Sequence, residues 1–187
     1  MDKDFLKDYF KGFSQLVEPN EDMMNNLLLL KEKIIETQNK GCKTLIFGNG
    51  GSAAMASHFS VDLTKNAGVR CSNFNEADLI TCFANDYGFE NWIAKAIEFY
   101  GDPGDLLILI SSSGNSVNML NAAETAKSQN FSGVATFSGF LSDNPLRKSG
   151  DINIWVDSTA YNYVENIHQM WLLSLVDLII GDAHYSA

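Results

Sequence analysis

An apolar run, Leu106 to Ile110, stops abruptly at Ser111-Ser112-Ser113-Gly114-Asn115-Ser116, and a helix-forming stretch follows from Val117 to Ser128. A short, uninterrupted apolar run bounded by turn residues reads as a strand buried on both faces of a parallel sheet. The polar cluster then falls where a strand ends and a helix begins. In an open α/β sheet that place borders the ligand crevice. A helix start offers unpaired backbone N–H groups and the positive end of the helix dipole, so it favours an anion. The serine hydroxyls add short neutral donors that wrap a phosphate without a single cation. Taken alone, the stretch is equally an ordinary serine-rich turn capped by Ser113 or Asn115.

The same arrangement occurs a second time. Thr44-Leu45-Ile46-Phe47 is strand-like, Gly48-Asn49-Gly50-Gly51-Ser52 is a polar turn, and Ala53 to Lys65 reads as a helix. Glycines let the backbone approach a ligand closely, and Ser52 either caps the helix or donates to an anion. No Gly-Lys-Ser/Thr follows either turn, and neither contains Gly-x-Gly-x-x-Gly. A nucleoside triphosphate or a dinucleotide is therefore not the natural ligand.

Around these two units the periodicity predicts helices over Asp4–Leu16, from Asn20 or Glu21 to about Gln38, and over Ser52–Lys65, Ala77–Phe83, Glu90–Tyr100, Val117–Ser128 and Ala160–Asp182. Strands are expected over Lys43–Phe47, Val69–Asn73, Leu106–Ile110, Gly133–Phe137 and Ile152–Val156, with Asn85-Asp86-Tyr87-Gly88 as a turn and Ser138–Gly150 as a loop. Alternating strands and helices give an α/β three-layer sandwich, a five-stranded parallel sheet flanked by helices in the flavodoxin/Rossmann-like manner. The 187 residues fit one domain. A helical hairpin over residues 1–40 precedes the first strand. Its broad apolar faces either cover the sheet or pack against another copy of the chain.

A net charge of −10 argues against nucleic acid as a partner and leaves local dipoles and hydroxyls to attract a phosphate. Cys42, Cys71 and Cys82 are odd in number and lack Cys-x-x-Cys spacing, as expected of reduced thiols in a cytoplasm. No signal peptide is read at the N-terminus. Trp171–Ile180 is apolar but contains Asp177 and is too short to span a bilayer, so no membrane partner is expected.

With these residues in place, the sequence resembles the sugar isomerase (SIS) domain family, and within it the phosphoheptose isomerases. The matching pieces run in order: Gly48 to Ala54, His58-Phe59, Asn85 to Glu90, Gly101 to Asp105, Ser111 to Ser116, and Glu165-Asn166-Ile167-His168. The resemblance implies that Asn49, Gly50, Gly51, Ser52, Ser111, Ser112, Ser113 and Ser116 hold a phosphosugar, with Asp86 near the sugar. It also implies a homotetramer.

Isomerising a ketose to an aldose phosphate needs a base to move a proton between neighbouring carbons and a group to stabilise the enediolate oxygen. His58 and Asp62, four residues apart, share one helix face, as a metal-ligand pair or as an acid–base pair. By resemblance His58 falls at a zinc-binding histidine, and Asp62 at a glutamate that serves as base and zinc ligand, here one methylene shorter. Glu165 stands where the family has glutamine. Leu173 stands where it has the histidine acid, and leucine neither donates a proton nor binds a metal. His58, Asp62 and Glu165 could still form a three-ligand zinc site with an open position. Two functions follow: an isomerase acting on sedoheptulose 7-phosphate or a related phosphosugar, with Asp62, His58 and Glu165 as catalytic residues, or a non-catalytic phosphosugar-binding module that acts as a sensor or assembly partner.

Overall fold

The computed structural model describes residues 1–185. In chain order its elements are α1 (Asp2–Val17), α2 (Glu21–Asn39), β1 (Thr44–Gly48), α3 (Gly51–Lys65), β2 (Cys71–Ser72), α4 (Ala77–Tyr87), α5 (Trp92–Tyr100), β3 (Leu106–Ser111), α6 (Val117–Ser128), β4 (Gly133–Ser138), α7 (Pro145–Ser149), β5 (Ile152–Trp155) and α8 (Tyr161–Ile180). The strands form one sheet in the order β2-β1-β3-β4-β5, and every neighbouring pair is parallel.

Unbroken apolar strands need cover on both sides, and successive side chains point to opposite faces. Ile46, Leu106, Ile108 and Ile110 enter one core with residues of α2, α3 and α8. Leu45, Phe47, Leu107 and Leu109 enter a second core with residues of α5 and α6. This is the three-layer α/β sandwich expected of alternating strands and helices.

Several local expectations shift. The N-terminal helix α1 packs on α8. Tyr9 and Phe13 pack edge-on against Tyr163, and the Trp171 indole donates to the Val17 carbonyl at 2.8 Å. The second strand contracts to Cys71–Ser72 at the sheet edge, where it has β1 on one side only. Asn85-Asp86-Tyr87 is the last turn of α4, and the chain leaves the helix at Gly88, whose φ of +86° explains the glycine. The Ser138–Gly150 loop contains α7, which starts at Pro145 and is capped by the Asn144 side chain accepting from the Arg147 N–H.

After β1 the chain moves to one edge of the sheet, and after β3 to the other. The C-terminal ends of β1 and β3, with Gly48 in register with Ile110, therefore form the topological switch point where open α/β sheets leave a crevice.

Candidate functional site

Both polar turns leave from this switch point. A Cβ on Gly48 would lie 2.4 Å from the Ser52 backbone carbon, so only glycine lets α3 start so close to the strand that feeds it. Gly50, the N-cap of α3, has φ +53°. Between the turns lies a cleft of about 140 Å³ lined by Asn49, Ser52, Ile110, Ser111, Ser112, Ser113, Ser116, Tyr161 and Glu165. No lysine, arginine or histidine lines it.

Three helices open on this cleft, and none is capped by its own side chain: the N-caps of α3, α6 and α8 are Gly50, Ser116 and Ala160. Elsewhere α2 and α7 are capped by Asn20 and Asn144, while α4 and α5 lack a side-chain cap as the cleft helices do. The uncapped starts leave N–H donors and the positive dipole ends facing the space where an anion would sit.

The hydroxyls are only partly committed. Ser111 donates to the Ser116 hydroxyl at 3.1 Å, and the Ser113 hydroxyl accepts from the Asn115 N–H at 3.3 Å. Ser112 Oγ is buried and has no hydrogen-bond partner among the described residues, an arrangement that native structures rarely leave without a reason. Asn49 is locked to Asn118 by reciprocal amide hydrogen bonds of 3.1 and 2.9 Å across the cleft floor.

Tyr161 and Glu165 are one turn apart on α8 and so face the cleft together. The Glu165 carboxylate stands over Gly51: a Cβ there would lie 2.5 Å from Glu165 Oε2. The cleft thus holds one carboxylate at the opening of α3.

His58 lies farther along α3, seven residues after Gly51, or roughly 10 Å of helix rise. It is about half exposed, and its Nε2 is 3.3 Å from Asp62 Oδ2. On the other side the Gln169 amide lies 3.0 Å from His58 Nδ1. If that amide donates, the imidazole proton is on Nε2 and points at Asp62. Leu173 is one turn beyond Gln169 on α8.

The geometry therefore brings Asn49, Ser52, the serines of the 111–116 turn and Glu165 into one cleft, and puts His58 and Asp62 together about two and three helical turns along α3 from Gly51. Gly50 and Gly51 shape the start of α3. Asp86 is not among the residues around the cleft; it is exposed on α4, accepting from Asn85 Nδ2 at 2.8 Å and near Cys82 Sγ at 3.7 Å. Among the described residues no three His, Cys, Asp or Glu side chains come together to hold a metal. The set His58, Asp62 and Glu165 does not fit a three-ligand zinc centre within one chain, because Glu165 sits at the other end of the site and Leu173 offers no donor atom.

His168 is structural. It is fully buried, its Nε2–H donates to the Ser138 carbonyl at 3.1 Å, and its ring meets Phe137 edge-on. Burial pushes its pKa down to about 4, against a smaller opposing contribution from that hydrogen bond. The sequence reading missed Tyr161, Gln169 and Asn118. The first two lie four residues before and after Glu165, so the helical repeat from that residue leads to both. Asn118 faces Asn49 only because two distant turns meet, and no local pattern signals it.

A profile described as the SIS domain matches residues 8–138. The chain is 36% identical over 153 residues to the phosphoheptose isomerase of Fusobacterium nucleatum, covering 78% of this chain and 77% of that one. It is 32% identical over 187 residues to that of Campylobacter concisus, covering 96% and 95%. Among solved structures, the phosphoheptose isomerase of Francisella tularensis superposes with a TM-score of 0.89 at 25% identity, covering 97% of this chain and all of that one. The Neisseria gonorrhoeae enzyme superposes with a TM-score of 0.88 at 23% identity, covering 96% and 99%.

Proposed function

The chain belongs to the SIS domain family, and from that premise we propose that it is a phosphosugar isomerase that interconverts sedoheptulose 7-phosphate, or a closely related phosphosugar, with its aldose through an enediolate. The observation that carries this reading is the cleft. Three uncapped helix starts, a set of serine hydroxyls and one buried hydroxyl without a partner surround a space shaped for an anion and free of cations.

The spacing along α3 is of the order of a long sugar's length. Single C–C bonds near 1.5 Å with angles near 111° advance an extended chain by roughly 1.25 Å per bond. Six such bonds and a phosphate ester link span about 10 Å, comparable with the helix rise from Gly51 to His58. On this reading the serines hold the phosphate, and C1 and C2 of the heptose lie along α3 toward His58 and Asp62.

Asp62 takes a proton from C1 of the ketose. The electron pair moves into the C1–C2 bond and charge develops on O2; Asp62, now protonated, no longer accepts from the His58 Nε2–H, which turns to O2, stabilises it and protonates it. Asp62 then returns its proton to C2 while O1 gives its proton to the imidazole, leaving the aldehyde at C1. Gln169 holds the ring in register. Asn49 and Glu165 accept from the sugar hydroxyls between the two ends. A zinc ion would require donors beyond His58 and Asp62, and no step above passes through one.

The apolar side chains that α1 and α2 leave in water, Phe5, Leu6 and Phe10 with Leu28 and Leu29, support a homo-oligomer built on residues 1–40, a tetramer by resemblance. Asp86, exposed on α4, serves the sugar only if a neighbouring copy brings it to a cleft. The three cysteines are unpaired, as suits a cytoplasmic enzyme, and among the described residues no helix is long and apolar enough to cross a membrane.

Turnover of sedoheptulose 7-phosphate, assayed with and without added zinc, tests the proposal. Product under either condition supports it; folded protein that binds the sugar and yields no product under both overturns it. Leu173 at the acid position favours a second reading, a phosphosugar-binding module without chemistry. On that reading the unaltered chain is inactive, and the double variant Leu173→His, Asp62→Glu acquires activity. Robust activity in the unaltered chain removes it.

A further inference from the structure

We propose that Tyr161 is a phosphate-binding residue, its phenol hydroxyl donating to the phosphate at the cleft mouth in place of a cation; this rests on the reading of the cleft as a phosphosugar site. Tyr161 lines the cleft at the first turn of α8. Its ring is held edge-on by Phe140, with centroids 4.9 Å apart and planes at 68°. Phe140 in turn has a left-handed backbone, φ +58°, fixed by its N–H donating to the Ser158 carbonyl at 2.9 Å. A non-glycine residue in that region is strained, and such strain collects at functional sites. Here the strained residue is the support on which the phenol rests. Tyr161 stays 58% exposed, so its ring is not there to fill a core, and its hydroxyl makes no hydrogen bond within the described chain.

The charge balance of the cleft gives that hydroxyl a task. A phosphosugar brings a phosphate close to the Glu165 carboxylate, in a protein of net charge −10, with no lysine, arginine or histidine in the lining. Of the neutral donors, Asn49 is committed to Asn118, and Ser111 donates to Ser116. The hydroxyls left without a partner include Ser112, buried in the floor, and Tyr161, at the rim. A phenol is more acidic than an aliphatic hydroxyl and so is the stronger donor to an anion. Tyr161 is also one turn from Glu165, close enough to hold the phosphate on the serine side and leave the carboxylate to the sugar hydroxyls.

The test is calorimetric titration of the full chain and of Tyr161→Phe with inorganic phosphate and, separately, with sedoheptulose 7-phosphate, with melting temperatures recorded alongside. Removing one charge-assisted hydrogen bond is expected to weaken both ligands about tenfold. The melting temperature should not move, because the ring remains. Steady-state assays should show the same factor in KM, with kcat within about twofold, a split that a purely structural role would not produce. Equal affinities for the unaltered chain and Tyr161→Phe overturn the inference and leave the functional reading standing. Weakened sugar binding with unchanged phosphate binding also overturns it, since the hydroxyl would then contact the sugar. If the unaltered chain binds neither ligand, both the functional reading and this inference fall.

Discussion

The two ends of the site are built in different ways. The proposed phosphate end is made by backbone: strand ends in register, a glycine that no larger residue can replace, and helix starts whose N–H groups lack side-chain caps. The carbonyl end is made by side chains on the faces of α3 and α8, where His58 is half exposed and touched by Asp62 and Gln169. The lesson is one of tolerance. A substitution at the first end disturbs the fold that makes it. A substitution at the second changes a helix face and leaves the helix intact, and that is where the resemblance puts aspartate for glutamate and leucine for histidine.

The largest expected effect is at the backbone end. Gly48→Ala places a methyl group within 2.4 to 2.7 Å of Ser52, so it should lower unfolding free energy by more than about 2 kcal/mol and abolish phosphosugar binding. Urea denaturation and calorimetry check this; a stable, binding-competent Gly48→Ala variant would break the contrast. At the chemical end, Asp62→Asn should lower kcat by roughly 10² to 10⁴-fold, as expected for loss of a general base, with sedoheptulose 7-phosphate binding and melting temperature preserved.

A third expectation concerns the structural histidine behind the cleft. The folded-state pKa of His168 is lowered to about 4 from 6.5, so the unfolded chain binds the extra proton first as pH falls. The stability held by the neutral ring is therefore complete above pH 6.5 and lost between about pH 6.5 and 4, amounting to roughly 3 kcal/mol. Urea midpoints measured across that window should fall for the unaltered chain and fall less for His168→Gln, which keeps a donor for the Ser138 carbonyl.

Asn118→Ala should cost about 1–3 kcal/mol, because it leaves the Asn49 amide without its reciprocal partner. The smallest effect should come from Gly51→Ala. Its Cβ would meet only the far end of the Glu165 side chain, which can swing away, so stability should change by less than about 1 kcal/mol. Gly48→Ala and Gly51→Ala together are the sharpest form of the comparison: two glycines in one loop, one bounded by backbone and the other by a flexible carboxylate.

The same contrast explains what could be read from the sequence. The two polar turns between strand and helix were legible because their determinants are local. Apolar runs that stop at glycine and serine place β1, α3, β3 and α6 almost to the residue; α6 is found over Val117–Ser128 as expected. Elements set by their surroundings were harder. The edge strand shrank to Cys71–Ser72 because pairing, not propensity, sets its length. Asn85-Asp86-Tyr87-Gly88 has turn composition, yet α4 continues through it until Gly88 takes a positive φ. The carbonyl end was legible only as far as helical spacing reaches. The His58–Asp62 contact follows from a four-residue separation. The distance between that pair and Glu165 depends on how α3 meets α8, which no local pattern carries.

A crystal structure of the full chain with sedoheptulose 7-phosphate tests the central claim most directly. The account predicts the phosphorus among Ser52, Ser112 and Ser116, with Ser112 Oγ hydrogen-bonded to a phosphate oxygen and C1 and C2 against His58 and Asp62. A phosphate bound elsewhere, or a sugar lying with its carbonyl end among the serines, would contradict it.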